Sequence, residues 1–279
     1  MVTELLFVIS MPIWIGIILS VIICLSIGVL IVPIAKNVLK VHQGFNLYNI
    51  GFAAGILGTV YVSILKSFGY TAYSRLIWST GNNWSLGVFL YILFILMIII
   101  GFVLEKHAGK KLLKIFKHPG ILSSNFVSLE GFEPVLINMG INGLVSIGYV
   151  LLVRGELNGP TIGGILAVVG FGAFGKHIRN ITPIFIGVFL SSIIKTWNID
   201  DPTILIAALF GTSLAPIAGY YGWFWGIVAG FINSSVVLNL GTLHGGMNLY
   251  NTGFSAGIVA TFLVPILGTF CIKRSHEDS

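Results

Sequence analysis

Nine stretches of almost uninterrupted apolar residues divide this chain, and no other feature restricts its folding as tightly. They run over residues 5–35, 47–65, 84–104, 135–153, 159–175, 183–194, 204–218, 223–240 and 253–271. A helix crosses the bilayer core with about 20 apolar residues. Backbone polar groups inside lipid must be satisfied within the segment, so stretches of this length predict helices and not open sheet. Only 9% of the 279 residues are charged and 56% are hydrophobic, whereas soluble chains are about one-quarter charged. Water-soluble globular classes are thereby excluded, and so is disorder, which needs low hydrophobicity. The expected fold class is an all-α integral membrane protein of about nine transmembrane or re-entrant helices. The first stretch is not a secretory signal, because it is too long and residues 1–4 carry no positive charge.

The cations orient these helices. Lys106, Lys110, Lys111, Lys114 and Lys117 fall in one loop, which the positive-inside bias places in the cytoplasm. Alternation from there puts Lys36 and Lys40, Lys176 and Arg179, and Lys273 and Arg274 on the same side. Asp200 and Asp201 fall outside; Arg75, Arg154 and Lys195 also fall outside, against the bias. Nine crossings then leave the C-terminus cytoplasmic. The surplus of 15 Lys and Arg over 9 Asp and Glu is a topological signal on this reading, and no nucleic-acid partner is expected. The basic loop has apolar Leu112, Leu113, Ile115 and Phe116 interleaved; it reads as a cytoplasmic connector, with attachment to a lipid surface as the alternative.

A repeat is embedded in the pattern. His42-Gln-Gly-Phe-Asn-Leu-Tyr-Asn-Ile-Gly-Phe-Ala-Ala-Gly-Ile56 returns as His244-Gly-Gly-Met-Asn-Leu-Tyr-Asn-Thr-Gly-Phe-Ser-Ala-Gly-Ile258, identical at eleven of fifteen positions. Generic apolar composition does not produce such a match. Seven predicted crossings separate the copies, an odd number, so the copies are expected in opposite orientation. That is an inverted-topology repeat, an architecture in which transported solutes bind between the halves. At the offset of 202 residues, residues 1–77 read as the last part of a first repeat and 78–279 as a complete second one. The first repeat is therefore incomplete. The alternatives are a missing N-terminal half preceding Met1, an unusual member of its kind that lacks it, or a second chain, as in a homo-oligomer, that supplies the rest.

Polar residues inside such a motif need a reason. Asn and Gly at a helix start suit irregular backbone, which survives in lipid only if buried in protein or lining a cavity. Asn46, Tyr48 and Asn49, with their counterparts Asn248, Tyr250 and Asn251, are the candidate solute-binding residues; their neutral donors and acceptors suit a small polar solute. The competing role is helix capping. His42 and His244 are candidate gating or coupling groups, expected toward opposite faces and so unable to share a metal. Glu133 joins them if it faces the bundle, because ionisable groups within membranes are seldom idle; otherwise it complements a helix dipole. Asn138 and Asn142 share a face at i, i+4 and serve either a polar pathway or a bond between helices. Phe171 and Phe174 are candidates for an aromatic constriction. No G-x-S-x-G, H-E-x-x-H, P-loop or Cys pair occurs. No enzyme activity, cofactor or metal is expected.

The motifs at 42–56, 158–176 and 244–258, with Leu209-Phe-Gly-Thr-Ser-Leu-Ala-Pro216, resemble an uncharacterised bacterial polytopic membrane family catalogued as domain of unknown function 1576. The resemblance extends over essentially the whole chain. It implies a multi-pass protein of the bacterial plasma membrane with no assigned activity. A weaker likeness is to urea transporters, whose inverted halves each carry G-x-x-G-Y-N. Gly44, Tyr48 and Asn49 fit that pattern, as do Gly246, Tyr250 and Asn251, but Leu47 and Leu249 replace its second Gly. The function expected is a channel or secondary transporter for a small neutral or weakly polar solute, with the lipid bilayer as surroundings. A membrane-embedded enzyme acting on lipid through His42 or His244 and Glu133 is the first alternative. A non-catalytic membrane scaffold is the second.

Overall fold

A computed structural model describes residues 12–69, 78–122, 124–243 and 251–271. Twelve α-helices account for most of them, and no strand occurs among the described residues. In chain order they are α1 (Ile13–His42), α2 (Asn49–Ser67), α3 (Asn83–Leu104), α4 (Ala108–Ile115), α5 (Phe126–Glu130) and α6 (Phe132–Leu152). There follow α7 (Gly159–Gly170), α8 (Ile178–Ile194), α9 (Pro202–Gly211), α10 (Ala215–Tyr221), α11 (Trp223–Leu240) and α12 (Thr252–Phe270). Short 3₁₀ turns extend α7 through Ala173 and join α9 to α10 over Thr212–Leu214.

Seven helical stretches among the described residues are long and apolar enough to cross a membrane: α1, α2, α3, α6, the joined α9–α10, α11 and α12. The helices α7 and α8 are apolar but shorter. The expected nine apolar segments therefore all exist as helices, at two different lengths. The first helix continues past Lys36 and Lys40 to His42, where Gln43 and Gly44 both take positive φ and turn the chain. The stretch expected over 204–218 is a helix interrupted at Thr212. Pro216, which has no N–H to give an uninterrupted helix, opens the second part.

Burial sorts the helices into an interior and a periphery. The helix α9 is buried along nearly its whole length. By contrast α1 and α3 expose a continuous apolar surface, with Ile17, Leu25 and Val29 on α1 and Phe89, Ile92 and Ile99 on α3. In water such a surface would drive aggregation; in lipid it is ordinary. Small residues allow the tightest contacts. On α8 and α11, a β-carbon at Gly187 would overlap the Ile227 carbonyl oxygen, and one at Gly230 the Ile184 carbonyl oxygen.

The two motif copies meet each other directly. A β-carbon on Gly253 would lie 2.9 Å from Gly51 Cα, and one on Gly51 would lie 3.1 Å from Gly253 Cα. One turn further along, Phe254 occupies the space a side chain at Gly55 would need, and Phe52 does the same at Gly257. The core around this crossing unites Ala35, Val38, Phe52, Ala53, Leu240 and Phe254, with Val236 and Ile258 packed against them. Residues at equivalent motif positions thus face one another reciprocally.

Candidate functional site

Three interruptions of helical backbone converge: 43–48 between α1 and α2, 174–177 between α7 and α8, and Thr212–Leu214 between α9 and α10. Each leaves backbone groups that need partners, and these come from a neighbouring break, from the segment after α4 and from Asn side chains on α6 and α8. Leu47 N donates to Ser213 O at 2.9 Å, and Leu122 N donates to Gly44 O at 2.9 Å. Asn138 Nδ2 donates to Gly172 O at 2.7 Å and Lys176 O at 2.8 Å; Asn142 Nδ2 donates to Lys176 O at 3.1 Å. Of the two roles open to this Asn pair, the structure shows the bond between helices. Asn180 Nδ2 closes the same turn on Gly175 O at 2.8 Å.

Lys176 sits at the centre, with no exposed surface. Its Nζ donates to Tyr48 Oη at 2.6 Å and to Thr212 Oγ1 at 2.7 Å. Thr212 Oγ1 in turn donates to Leu209 O at 2.6 Å, so its lone pairs are what the lysine meets. The Tyr48 ring centroid lies 4.3 Å from Nζ and that of Phe171 lies 5.4 Å away, close enough for cation–π attraction. Among the described residues the ion pairs are Lys111–Glu105 and His118–Glu130, so no described carboxylate pairs with Lys176. A fully buried lysine nitrogen served only by neutral oxygens and rings is unusual, because burying its charged form is normally offset by an opposite charge.

A cleft of about 620 Å³ opens beside this cluster. Leu47, Tyr48, Asn49, Ala167, Phe171 and Phe210 line it, with backbone of Gly163 and Gly253. Tyr48 packs edge-on against Phe171 at 4.8 Å and Phe210 at 5.6 Å. Tyr48 and Phe171 therefore border both the cleft and the lysine. Phe174, the other aromatic candidate, is half exposed and does not line it.

The remaining candidates divide clearly. Asn46 N donates to His42 Nδ1, which assigns the His42 proton to Nε2, facing Asn49 Oδ1 at 2.9 Å. Asn49 Nδ2 reaches back to Ala35 O at 3.0 Å. Asn46 Nδ2 donates to Gly253 O at 3.1 Å, and its Oδ1 accepts from Tyr48 N. The first-copy residues His42, Asn46, Tyr48 and Asn49 are thus one network that shapes the 43–48 turn. Only Tyr48 and Asn49 among them line the cleft. In the second copy, Asn251 stands just before α12, while His244, Asn248 and Tyr250 lie outside the described residues. Glu133 occupies the first turn of α6 and acts on the Lys111 ammonium. It is brought together neither with His42 nor with Lys176. Lys111 carries a raised pKa through its hydrogen bond to Glu105 and the surrounding acids. Among the described residues no three His, Cys, Asp or Glu side chains could hold a metal.

Sequence reasoning missed Lys176 as a site residue. It stands three residues from Arg179, and both read as cytoplasmic topology markers; only the partners at positions 48 and 212 distinguish them.

Helices of this length and apolarity, packed around interrupted interior segments, define a polytopic helical membrane protein. The chain belongs to the family described as protein of unknown function (DUF1576), whose model matches residues 1–67 and 104–269. No curated protein and no solved structure matches it.

Proposed function

We propose that this protein is a channel or secondary transporter that passes a small polar solute along the cleft beside Lys176. The observation that carries this is the buried Lys176 side-chain nitrogen at the meeting point of three helix interruptions, bonded to Tyr48 and Thr212 without a described carboxylate partner. Non-helical backbone at membrane depth is tolerated where it is held in protein or lines a cavity. An ionisable group placed there marks a solute or ion path. Reciprocal contact of Gly51 and Gly253 supports an inverted repeat whose axis passes through this crossing, and discontinuous helices at such an interface are the usual solute site. The 43–48 turn rests on Leu122, just after the basic loop, so on the positive-inside reading the cleft opens toward the cytoplasm. The C-terminus then lies on that side too. Tyr48 and Asn49 are the polar side chains on the lining of a mostly apolar cleft, which suits a small neutral or weakly polar solute.

Uptake of labelled urea, acetamide and glycerol into proteoliposomes tests this. Wild-type protein should pass at least one solute severalfold faster than protein-free vesicles. Lys176→Met and Tyr48→Phe should slow that solute while eluting as folded protein on size exclusion. Folded wild-type protein that passes none of the three, or a folded Lys176→Met that passes solute at the wild-type rate, would overturn the assignment.

A further inference from the structure

A second cavity, of about 330 Å³, lies on the other side of the α7–α8 turn, facing the basic loop. Lys117, His118, His177, Arg179, Tyr220 and Trp223 line it. Two long helices begin at its wall, α8 after His177 and α11 after Gly222. Helix starts present free N–H groups and the positive end of the helix dipole. Arg179 and Lys117 add exposed cations, and Trp223, half exposed, suits a membrane–water interface.

An independent observation comes from His177. Its ring lines the cavity and is 1% exposed. Nε2 lies 2.9 Å from the His118 carbonyl oxygen and so donates to it, while the ring sits in the α8 capping box beside Asn180 and its Nδ1 makes no well-aligned hydrogen bond. A buried ring nitrogen left open beside three cationic or potentially cationic side chains, Lys117, His118 and Arg179, is a vacancy for an oxyanion that brings or captures a proton.

We infer that this cavity binds a phosphate group, on an anionic lipid or free in solution. Arg179 and Lys117 would contact the phosphate oxygens, the N–H groups opening α8 and α11 would donate to them, and His177 Nδ1 would share the proton. Basic pockets between membrane helices on the cytoplasmic side are where lipid headgroups are recognised. The groups facing His177 are His118 and Arg179, which disfavour its protonation, Lys117 on the same wall, and Glu130, 3.6 Å from His118. Burial pushes the unliganded imidazole down to about 4. An incoming anion restores the proton, so binding should strengthen as pH falls from 8 to 6.

The test uses the whole purified protein in two arms. In the first, nanodiscs of phosphatidylglycerol or phosphatidylcholine are compared, and co-purified lipid is counted by native mass spectrometry. In the second, inorganic phosphate is titrated in neutral detergent and the Trp223 emission change is read, with Trp223→Phe as control. Retention of phosphatidylglycerol over phosphatidylcholine establishes the lipid source; saturable phosphate binding alone establishes the soluble source. Arg179→Gln with Lys117→Gln should weaken whichever binding is seen roughly tenfold or more, because charge-assisted bonds are lost from an otherwise intact cavity. Failure of both arms, or binding indifferent to the double substitution in a protein of unchanged thermal midpoint, would overturn the inference.

Discussion

Replacing Asn138 isolates the strength of the clamp that holds the α7–α8 turn. The side chain is fully buried and its amide nitrogen serves two carbonyls, Gly172 O and Lys176 O, both within 2.8 Å. Bonds between membrane helices average about 0.6 kcal/mol and reach about 1.7 kcal/mol. Asn138→Ala removes two of them. It leaves Lys176 O with Asn142 but strips Gly172 O of its amide donor, so a loss of about 1–3 kcal/mol follows. Part of this is returned, because the Asn138 carbonyl oxygen has no partner of its own and disappears with the side chain. Asn138→Asp should be worse than Ala. It keeps the shape but turns a donor toward two carbonyl oxygens into a carboxylate, which must either bury a charge or take up a proton. Asn142→Ala should be mildest, since it removes one bond, at 3.1 Å, to a carbonyl that Asn138 also serves. Thermal unfolding in detergent, followed by tryptophan emission, gives the order Asp, then Ala at 138, then Ala at 142, from most to least damaging. Asn138→Asp as stable as the wild type would refute the clamp, and so would Asn142→Ala falling below Asn138→Ala.

Three further outcomes are expected. Gly187→Val should abolish folded yield on size exclusion, because its side chain meets the Ile227 backbone, whereas Gly28→Ala, with open space around it, should leave yield unchanged. Stability should fall as pH drops from about 6.5 to about 4, since the unfolded His177 takes a proton that the folded one refuses. The span corresponds to up to about 3 kcal/mol, and a thermal midpoint recorded against pH should flatten in His177→Gln. Asn49→Asp should lower the thermal midpoint by the equivalent of about 1–2 kcal/mol, because the donation to Ala35 O is lost; an unchanged midpoint would free Asn49 for a purely solute-facing role.

Much of the helical framework was legible from apolar run length alone, because lipid leaves backbone few alternatives. The crossing of α2 and α12 was foreshadowed by the paired motifs, since Gly51 and Gly253 fall at equivalent places. The site was less legible, for a physical reason. An Asn beside a helix start looks alike whether it faces solute or a carbonyl, and Asn46 and Asn49 turn out to be engaged with backbone from Gly253 and Ala35. Lys176 gave no local sign of burial, because its partners come from segments 128 and 36 residues away. The interruption of α9 had a visible trace in Pro216, but the apolar stretch around it read as continuous.

The reciprocal seating of Phe52 on Gly257 and Phe254 on Gly55 also bears on how this gene can change. Each copy of the motif supplies both the knob and the socket for the other. A bulkier residue at Gly55 is an injury that only a smaller one at position 254 can heal, and the same holds for 257 and 52. The two copies are therefore bound to a common history: selection for second-site suppressors of Gly55→Ala should return changes about two hundred codons downstream, at Phe254, and few beside the original lesion.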